Sequence, residues 1–248
     1  MKAETELDIT RKICDTVGEL GGPLLVDEKW PQLLPFLFEC MQSGDDRLIE
    51  GALLIFAQLV TVCVTPLLPH LGSMHQMLQQ LLGGAQANIT TSVKVAAVRS
   101  VVSLLDSLES DQQRMQFQPL MQAIVNTIGS MLNEGDEESA QEAMGSLIEI
   151  AEDHPTMLRR SLGDVVNAML MIAEASNLDD DTRRLAAEFL VTLTEAHDKA
   201  PGMMRKLNSQ TNFVRKFFAL MMDFLLDIED EAEWYTSESD ADDSVSDK

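Results

Sequence analysis

The chain has 248 residues, of which 45% are hydrophobic and only 5% aromatic, and Leu and Met carry much of the apolar volume, as helical packing allows. Its 41 acidic residues against 18 basic ones give a formal net charge of −23, with −13 in residues 1–222 and −10 in residues 223–248. This charge argues against general nucleic-acid binding, in which positive charge neutralises phosphate, and it favours a basic partner.

The N-terminal stretch and the three cysteines indicate the cellular compartment of the protein. The N-terminal stretch MKAETELDITRK is charged and lacks an apolar core, so we expect no secretory signal peptide there. Cys14, Cys40 and Cys63 form no CxxC pair and have no spacing suited to a metal. Each stands among apolar residues at helical spacing. The sequence therefore predicts reduced, buried thiols in an intracellular protein.

An uncharged stretch runs from residue 51 to residue 93 and contains the apolar LLIFAQLVTVCVTPLLPHL. The length of this run makes a membrane span an alternative. Gln58, Pro66, Pro69 and His70 interrupt it, and its first part fits a repeat pattern. We therefore expect core helices and no membrane partner.

Five segments with helical spacing recur along the chain: ICDTVGEL, ALLIFAQL, AVRSVVSL, AMGSLIEI and AEFLVTLT, here called the B helices. Their first residues are separated by 39, 45, 46 and 43 positions, and small or apolar residues follow at +3, +4 and +7 in each. A second series, here called the A helices, lies between them, from WPQLLPFLFECM to VRKFFALMMDFLL. Two helices per unit of this length are typical of HEAT or armadillo repeats, with a plain helical bundle as the alternative.

Prolines and turns mark where these helices begin. Three A-series segments have a proline near their start, where the missing N–H costs little: Pro31, Pro69 and Pro119. Turns such as QSGDD, ANITT, NEGDEES and SNLDDD supply side chains that cap the following helix. The predicted capping residues are Asp46, Thr91, Asp136 and Asp180.

These patterns predict an all-α fold, a right-handed HEAT-repeat α-solenoid of antiparallel helix pairs with a disordered acidic C-terminal tail. The expected units are a half repeat at 1–22, full repeats at about 27–64, 67–108, 115–153 and 156–198, a half repeat at about 203–226, and the tail at 227–248. The first unit lacks its A helix and the last lacks its B helix. Because stacked repeats bury one another's faces, we expect two uncapped ends, as in a slice of a longer protein or the product of a shortened gene.

Four long stretches, in order over nearly the whole chain, resemble one family. They are KAETELDITRKICDTVGEL, WPQLLPFLFECMQS, LRRSLGDVVNAMLMIAEASNLDDDTRRLAAEFLVTLTEA and MMDFLLDIEDEAEWYTSESDADD. The sequence is similar to the importin-β (karyopherin-β) family, and within it to the importin-five or karyopherin-β3 type. The last stretch resembles the acidic loop of that type, and the chain corresponds to about the third to the eighth repeat.

The resemblance implies a nuclear transport receptor of the cytoplasm and nucleus. Members of the family bind cargo on the inner surface formed by B helices, nucleoporin phenylalanine–glycine repeats between outer A helices, and the GTP-bound GTPase Ran. The first repeats, which carry much of the Ran contact, have no counterpart here, so we expect weak Ran binding or none. The outer A helices carry Phe36, Phe38, Phe117, Met121, Met157 and Met169, which helical spacing predicts to be core residues, with nucleoporin contact in the grooves between A helices as the alternative.

The acidic tract after the last A helix is the first candidate site for basic cargo signals. Its residues are Asp227, Glu229, Asp230, Glu231, Glu233 and Trp234. The carboxylates attract lysine-rich segments from a distance, and Trp234 covers a lysine stem or stacks on a cation. The alternative is a solubilising tail without a specific partner.

The B helices carry a second candidate site. Its acidic residues are Glu138, Glu142, Glu149, Asp181 and Glu188. Arg183 and Arg184 interrupt this acidic surface. Glu138, Glu142 and Glu149 share one side of their helix, so they form a wall for a basic localisation signal, with an ordinary solvated helix face as the alternative.

Catalytic signatures are missing from the sequence, which has no GxxxxGK[ST], GxGxxG, HExxH or GxSxG motif. Its four histidines are scattered over three repeats. We therefore expect no enzyme, no cofactor and no metal. The predicted function is a transport-receptor fragment that binds basic nuclear localisation signals, and the alternatives are a HEAT-repeat interaction scaffold or a truncated, non-functional importin paralogue.

Overall fold

The computed structural model describes residues 7–84 and 89–226. These residues form twelve α-helices and no strand. The helices are α1 Leu7–Val26, α2 Leu33–Met41, α3 Asp46–Val62, α4 Leu71–Leu82, α5 Thr91–Ser107, α6 Asp111–Arg114, α7 Leu120–Glu134, α8 Glu137–Asp153, α9 Leu162–Glu174, α10 Asp180–Glu195, α11 Met203–Thr211 and α12 Phe213–Leu226. Short 3₁₀ segments at Thr65–His70, Met115–Phe117 and Pro155–Arg160 precede α4, α7 and α9.

The helices form two layers. The B helices α1, α3, α5, α8 and α10 pack on one another in that order. In the second layer α4 contacts α7, α7 contacts α9, and α9 contacts α12. The pairs α2–α3, α4–α5, α7–α8 and α9–α10 connect the two layers. The predicted all-α solenoid of antiparallel HEAT-type helix pairs is therefore confirmed.

The apolar stripe predicted for the B helices is the core of this solenoid. In α3 the side chains of Ala52, Ile55, Phe56 and Leu59 are all at least 97% buried. The corresponding stripe of α10, which is Ala186, Phe189, Leu190 and Leu193, is equally buried. Periodic apolar residues thus place one face of α3, α5, α8 and α10 in the core. The stripe predicted for α1 is wrong at Thr16 and Leu20, which are exposed, because α1 instead turns the face that carries Cys14 towards α3.

Helix starts differ from the prediction by one residue at three of four positions. The residues that flank the first turn are Asp45, Thr90 and Asp179, so Asp46, Thr91 and Asp180 lie inside their helices instead. Asp45 accepts a hydrogen bond from the Arg47 N–H, at 3.1 Å. Asp136 caps α8 as predicted and accepts from the Ser139 N–H, also at 3.1 Å.

A close helix approach joins α1 to α3. A Cβ atom at Gly18 would lie 2.6 Å from the Cβ of Gln58, and one at Gly21 would lie 2.9 Å from a Leu59 methyl group. The Cβ of Gln58 cannot move without its backbone, so a side chain at position 18 would force α1 and α3 apart. Although α1 has no partner A helix among the described residues, its packing on α3 leaves Cys14 completely buried.

The uncharged stretch from residue 51 to 93 is divided among several elements. It runs through α3, the Thr65–His70 segment and α4, and it enters α5. Among the described residues, no helix combines the length and apolarity needed to cross a bilayer. The predicted buried thiols are confirmed, because Cys14, Cys40 and Cys63 all lie in the core.

Both ends of the described array expose apolar side chains. On α12 these are Val214, Phe218, Met222, Leu225 and Leu226, which are 41–78% exposed. On α1 they are Ile9, Leu20 and Val26. The predicted tail, residues 227–248, lies outside the described residues, and the predicted repeat boundaries remain a prediction.

Candidate functional site

The acidic residues predicted on the B helices are all exposed. Glu138, Glu142 and Glu149 lie on α8, and Asp181 and Glu188 lie on α10. They point away from the buried stripes because the apolar positions of each helix are taken by the core. Since α8 and α10 pack side by side, the two acidic rows are neighbours. We call this surface the B-face acidic stripe.

Two of the five predicted carboxylates already have cationic partners. Glu142 forms an ion pair with Arg99 on the preceding B helix, α5. Asp181 pairs with Arg184 one turn along α10, at 3.3 Å. Within the described part of the chain, Glu138, Glu149 and Glu188 have no ion-pair partner. The negative potential of the stripe therefore arises mainly from these three residues.

Contrary to the prediction, Arg183 does not interrupt the acidic stripe. Its side chain is 16% exposed, and its Nε donates a hydrogen bond to the Ala173 carbonyl oxygen at 3.2 Å. The guanidinium lies 5.2 Å from the ring centre of Phe224 and contacts Asp180. Arg183 thus joins α10 to α9 and α12. Of the two arginines, Arg184 is the one that neutralises the stripe.

Polar side chains at the N-terminal ends of the B helices link successive repeats. Glu137 on α8 accepts a hydrogen bond from the Asp179 N–H at 3.0 Å and one from the Thr182 hydroxyl at 2.5 Å. Two repeats earlier, Asp46 on α3 accepts from the Thr90 N–H at 2.9 Å. Sequence reasoning missed these links. Their signal is a carboxylate on one B helix and a hydroxyl residue one repeat later.

At the other end of α8 and α10 a groove of about 360 Å³ continues the acidic stripe. Glu152, Glu195, Asp198 and Lys199 contribute charged side chains to its lining. Lys199 Nζ donates to the Glu152 carbonyl oxygen at 2.6 Å and lies 3.0 Å from a carboxylate oxygen of Asp153. The groove thus holds a lysine ammonium by a helix C-terminal carbonyl and a carboxylate, which is the chemistry needed for a basic peptide.

Glu195 and Asp198 were not predicted as site residues. The spacing from Glu188 to Glu195 is seven residues, or two helical turns, so both lie on one face of α10. That spacing was the available signal. Asp227, Glu229, Asp230, Glu231, Glu233 and Trp234 of the predicted tract lie outside the described residues.

A second groove, about 470 Å³ in volume, lies between α2 and α4 in the A layer. It is lined by Phe38, Gln42, His70, Ser73, Gln76, Met77 and Gln80. The rings of Phe38 and His70 pack with their centres 5.5 Å apart. Of the six candidate nucleoporin contacts, Phe38 lines this groove and Phe36 is 46% exposed. The other four, Phe117, Met121, Met157 and Met169, are core residues.

Metal chemistry finds no support in the arrangement of the donor side chains. In the ranges that the structure covers, no three residues among His, Cys, Asp and Glu are grouped so that they could bind an ion. The acidic residues instead spread along two helices. The arrangement suits contact with an extended peptide better than coordination of a single ion.

Two family models match the chain. The first, described as IPO5-like, TPR repeats, matches residues 5–168. The second, described as an importin repeat, matches residues 175–248. The two matches together leave unmatched only residues 1–4 and residues 169–174, the latter of which form the C-terminal part of α9.

Curated relatives are similar over nearly all of the chain. A probable importin-5 homolog of Dictyostelium discoideum is 24% identical over 251 residues, covering 98% of this chain and 22% of that protein. Importin subunit beta-3 of Saccharomyces cerevisiae is 26% identical over 237 residues, covering 95% of this chain and 20% of that protein. The chain therefore spans about a fifth of the length of these relatives.

Solved structures of Kap121p share the fold. Kap121p bound to the SUMO protease Ulp1p superposes with a TM-score of 0.76 at 21% identity, covering 97% of this chain and 22% of that one. Kap121p bound to RanGTP gives a TM-score of 0.71 at 23% identity, with the same coverage of both chains.

Proposed function

Because the chain belongs to the importin-β family, in the importin-5-like branch of nuclear transport receptors, we propose that it binds basic nuclear localisation signals of cargo in nuclear protein import. The observation that carries this proposal is the B-face acidic stripe together with the groove at its end. Binding, without catalysis, is the role that such an open surface favours.

The stripe has the charge and length for a lysine-rich segment. Glu138 and Glu149 lie eleven residues apart on α8, about 16 Å at 1.5 Å per residue. An extended peptide rises about 3.3 Å per residue, so roughly five residues of cargo span that distance. Alternate lysines of such a peptide reach the stripe, while the carboxylates steer it during encounter.

The contacts of Lys199 support this proposal, because they are the contacts proposed for a lysine of the cargo. Its ammonium donates hydrogen bonds to a main-chain carbonyl oxygen and to a carboxylate oxygen at the end of α8. A cargo lysine placed beside Glu195 or Asp198 meets the same kinds of acceptor. Each exposed contact contributes little, about 0.2–1 kcal/mol, so affinity depends on several lysines acting together. The tract from Asp227 to Trp234 adds further charge and an aromatic surface for lysine stems.

Further partners follow from the relatives. Kap121p has been solved with Nup53p, Ste12p, Ulp1p, Cdc14p and RanGTP. For this chain we propose that nucleoporin phenylalanine–glycine repeats dock in the α2–α4 groove beside Phe38. Ran binds weakly or not at all, and the protein acts in both the cytoplasm and the nucleus.

A peptide-binding titration tests the proposed function. A fluorescent lysine-rich localisation peptide is titrated into the full chain and into a version ending at Leu226, over a series of salt concentrations. Binding that salt weakens supports the proposal, and the difference between the two versions measures the share of the tract. Binding that does not depend on salt, or no binding to either version, contradicts it and favours an interaction scaffold.

A further inference from the structure

A concentration of positive charge stands out in this acidic chain. Residues 199–222 contain no Asp or Glu and carry five cations: Lys199, Arg205, Lys206, Arg215 and Lys216. The next 26 residues contain eleven acids and a single lysine, Lys248. Charged residues that serve only to keep a surface in water need not be separated by sign, whereas here a basic stretch is followed directly by an acidic one.

Three cations line a groove at the edge of the solenoid. The groove has a volume of about 440 Å³ and lies between the Pro155–Arg160 segment, the start of α9 and α11. Arg159, Arg160 and Lys206 line it, and its other lining residues are uncharged. All three cations are exposed, and none has an ion-pair partner within the described ranges. Arg205 lies beside Lys206 on α11 and is also exposed.

Two helix starts add to the positive potential of the groove. Leu162 and Gly163 begin α9, and Met203 begins α11 after the Pro201–Gly202 turn, in which Gly202 has φ +76°. Neither helix has a side chain that caps its first turn. Their first N–H groups have no intrahelical acceptors, but the Met203 N–H bonds the Ala200 carbonyl oxygen at 3.2 Å, and Asp164 lies in the first turn of α9. The buried Ser161 hydroxyl, next to Arg160, also has no hydrogen-bond partner in the described structure.

We propose that this groove binds the acidic segment 227–248 of the same chain. Arg159, Arg160 and Lys206 supply the ion pairs, and carboxylates of the segment replace the water that solvates the helix starts. Complementary charge is the first argument, since the segment holds ten acids against Lys248. The groove cations lie outside the acidic stripe, but the segment includes the tract from Asp227 to Trp234, so the groove and a basic cargo compete for that tract.

The segment 227–248 belongs to the same chain as the groove, and this connection favours it over an acidic peptide from another protein. Helix α12 has 14 residues and is about 21 Å long, and its first residue follows Gln210 of the groove by three positions. The segment of 22 residues reaches roughly 70 Å when extended, so it can return from Leu226 to the groove. Tethering gives it an effective concentration of about millimolar, which a free acidic peptide rarely matches. Exposed Arg215 and Lys216, in the first turn of α12, lie on the way back.

A competition experiment tests the proposal. A labelled peptide with the sequence of residues 227–248 is titrated into a chain that ends at Leu226 and into the full chain. We expect the shortened chain to bind the peptide. The full chain should bind the peptide at least about tenfold more weakly, because its own segment competes for the groove. The double variant R159E/R160E of the shortened chain should lose binding. The matched variant R11E/K12E, which changes two exposed cations on α1, should retain it.

Each other outcome overturns the proposal. Equal binding to the full and shortened chains means that the groove is open to acidic peptides of other proteins and that the chain's own segment does not occupy it. No binding to the shortened chain, or binding that survives R159E/R160E, means that the groove is not an anion site. Zero-length carbodiimide cross-linking of mixed ¹⁵N and ¹⁴N full chains gives a second readout. A cross-link from Lys206 to the segment within one chain supports the proposal, and mixed-label cross-links contradict it.

Discussion

The Thr182 hydroxyl on α10 donates a 2.5 Å hydrogen bond to the Glu137 carboxylate on α8, and Thr182 is completely buried. The same hydroxyl accepts a hydrogen bond from the Gln141 amide at 2.9 Å. Glu137 also caps the backbone of the next repeat through the Asp179 N–H. One buried threonine therefore holds the first turns of two neighbouring B helices in register.

We expect Thr182→Val to destabilise the protein by about 1–3 kcal/mol, because it removes a buried hydroxyl and leaves the polar groups of Glu137 and Gln141 without their partner. The free energy of unfolding in urea measures this. Thr61→Val is a matched control, since Thr61 is exposed and its hydroxyl only bonds the Gln58 carbonyl oxygen of its own helix. Equal losses for the two variants would show that the link between repeats contributes nothing.

Two glycines with different surroundings, Gly18 in the α1–α3 contact and Gly145 in α8, should respond in opposite ways to substitution by alanine. Gly18→Ala should destabilise the chain by about 1–3 kcal/mol, because the new methyl group would lie 2.6 Å from the Cβ of Gln58, where little can move. Gly145→Ala in α8 has open space around its Cβ position and should stabilise by about 0.5–1 kcal/mol through helix propensity. Thermal unfolding of both variants decides the matter. A stabilising Gly18→Ala would mean that the helices are not in close contact.

Asp136 predicts a defined acid dependence. Hydrogen bonds from the Thr91 hydroxyl and from Ser139 lower the pKa of its carboxyl below the ordinary value of 3.8. Because the folded-state pKa is the lower one, the stability it contributes is complete above the unfolded-state value and is lost as the pH falls through the folded-state value. Asp136→Asn keeps a capping side chain and should flatten stability against pH below about 3.8. Asp136→Ala should also cost about 1 kcal/mol at neutral pH. Urea titrations across acidic pH measure both, and an unchanged acid slope in Asp136→Asn would refute the assignment.

The buried cysteine thiols should react slowly with thiol reagents in the folded protein. Burial is the main cause that raises the pKa of Cys14 to about 11, and it also raises the pKa of Cys63. Since the thiolate is the reactive form, both should resist a thiol reagent at neutral pH in the folded protein and react promptly in denaturant. Mass spectrometry after timed alkylation measures the rates at each cysteine. Rapid labelling of Cys14 under native conditions would contradict its burial.

The sequence predicts the fold well because the information it needs is local. Apolar residues at +3, +4 and +7, such as Ile55, Phe56 and Leu59, specify the buried face of every B helix except α1, where Leu20 is exposed. The capping residues were displaced by one because several acids in a row, as at Asp179 and Asp180, offer equally good local candidates. Only the actual chain path selects among them.

The candidate site is harder to predict because it depends on contacts between repeats. Glu142 and Asp181 belong to the predicted acidic surface, yet each is neutralised by an arginine, and Arg99 is 43 residues away in the chain. Arg183, predicted to face the surface, packs against Phe224 instead. Residue type and helical spacing identify the exposed face, whereas pairing across the repeat stack decides which charges remain available.

Those available charges give the last prediction. The triple variant E138Q/E149Q/E188Q removes the three carboxylates of the stripe that have no ion pair in the described chain. At 0.2–1 kcal/mol for each exposed charge contact, we expect a lysine-rich peptide to bind roughly three- to hundredfold more weakly. The salt dependence of binding should decrease as well, because fewer ion pairs are screened. The control E39Q/E134Q/E174Q makes the same change of net charge at exposed positions of A-layer helices and should bind nearly as the parent does. Fluorescence anisotropy at several salt concentrations measures both variants. Equal weakening in the two would mean that net charge alone attracts the peptide and that the stripe is an ordinary solvated face.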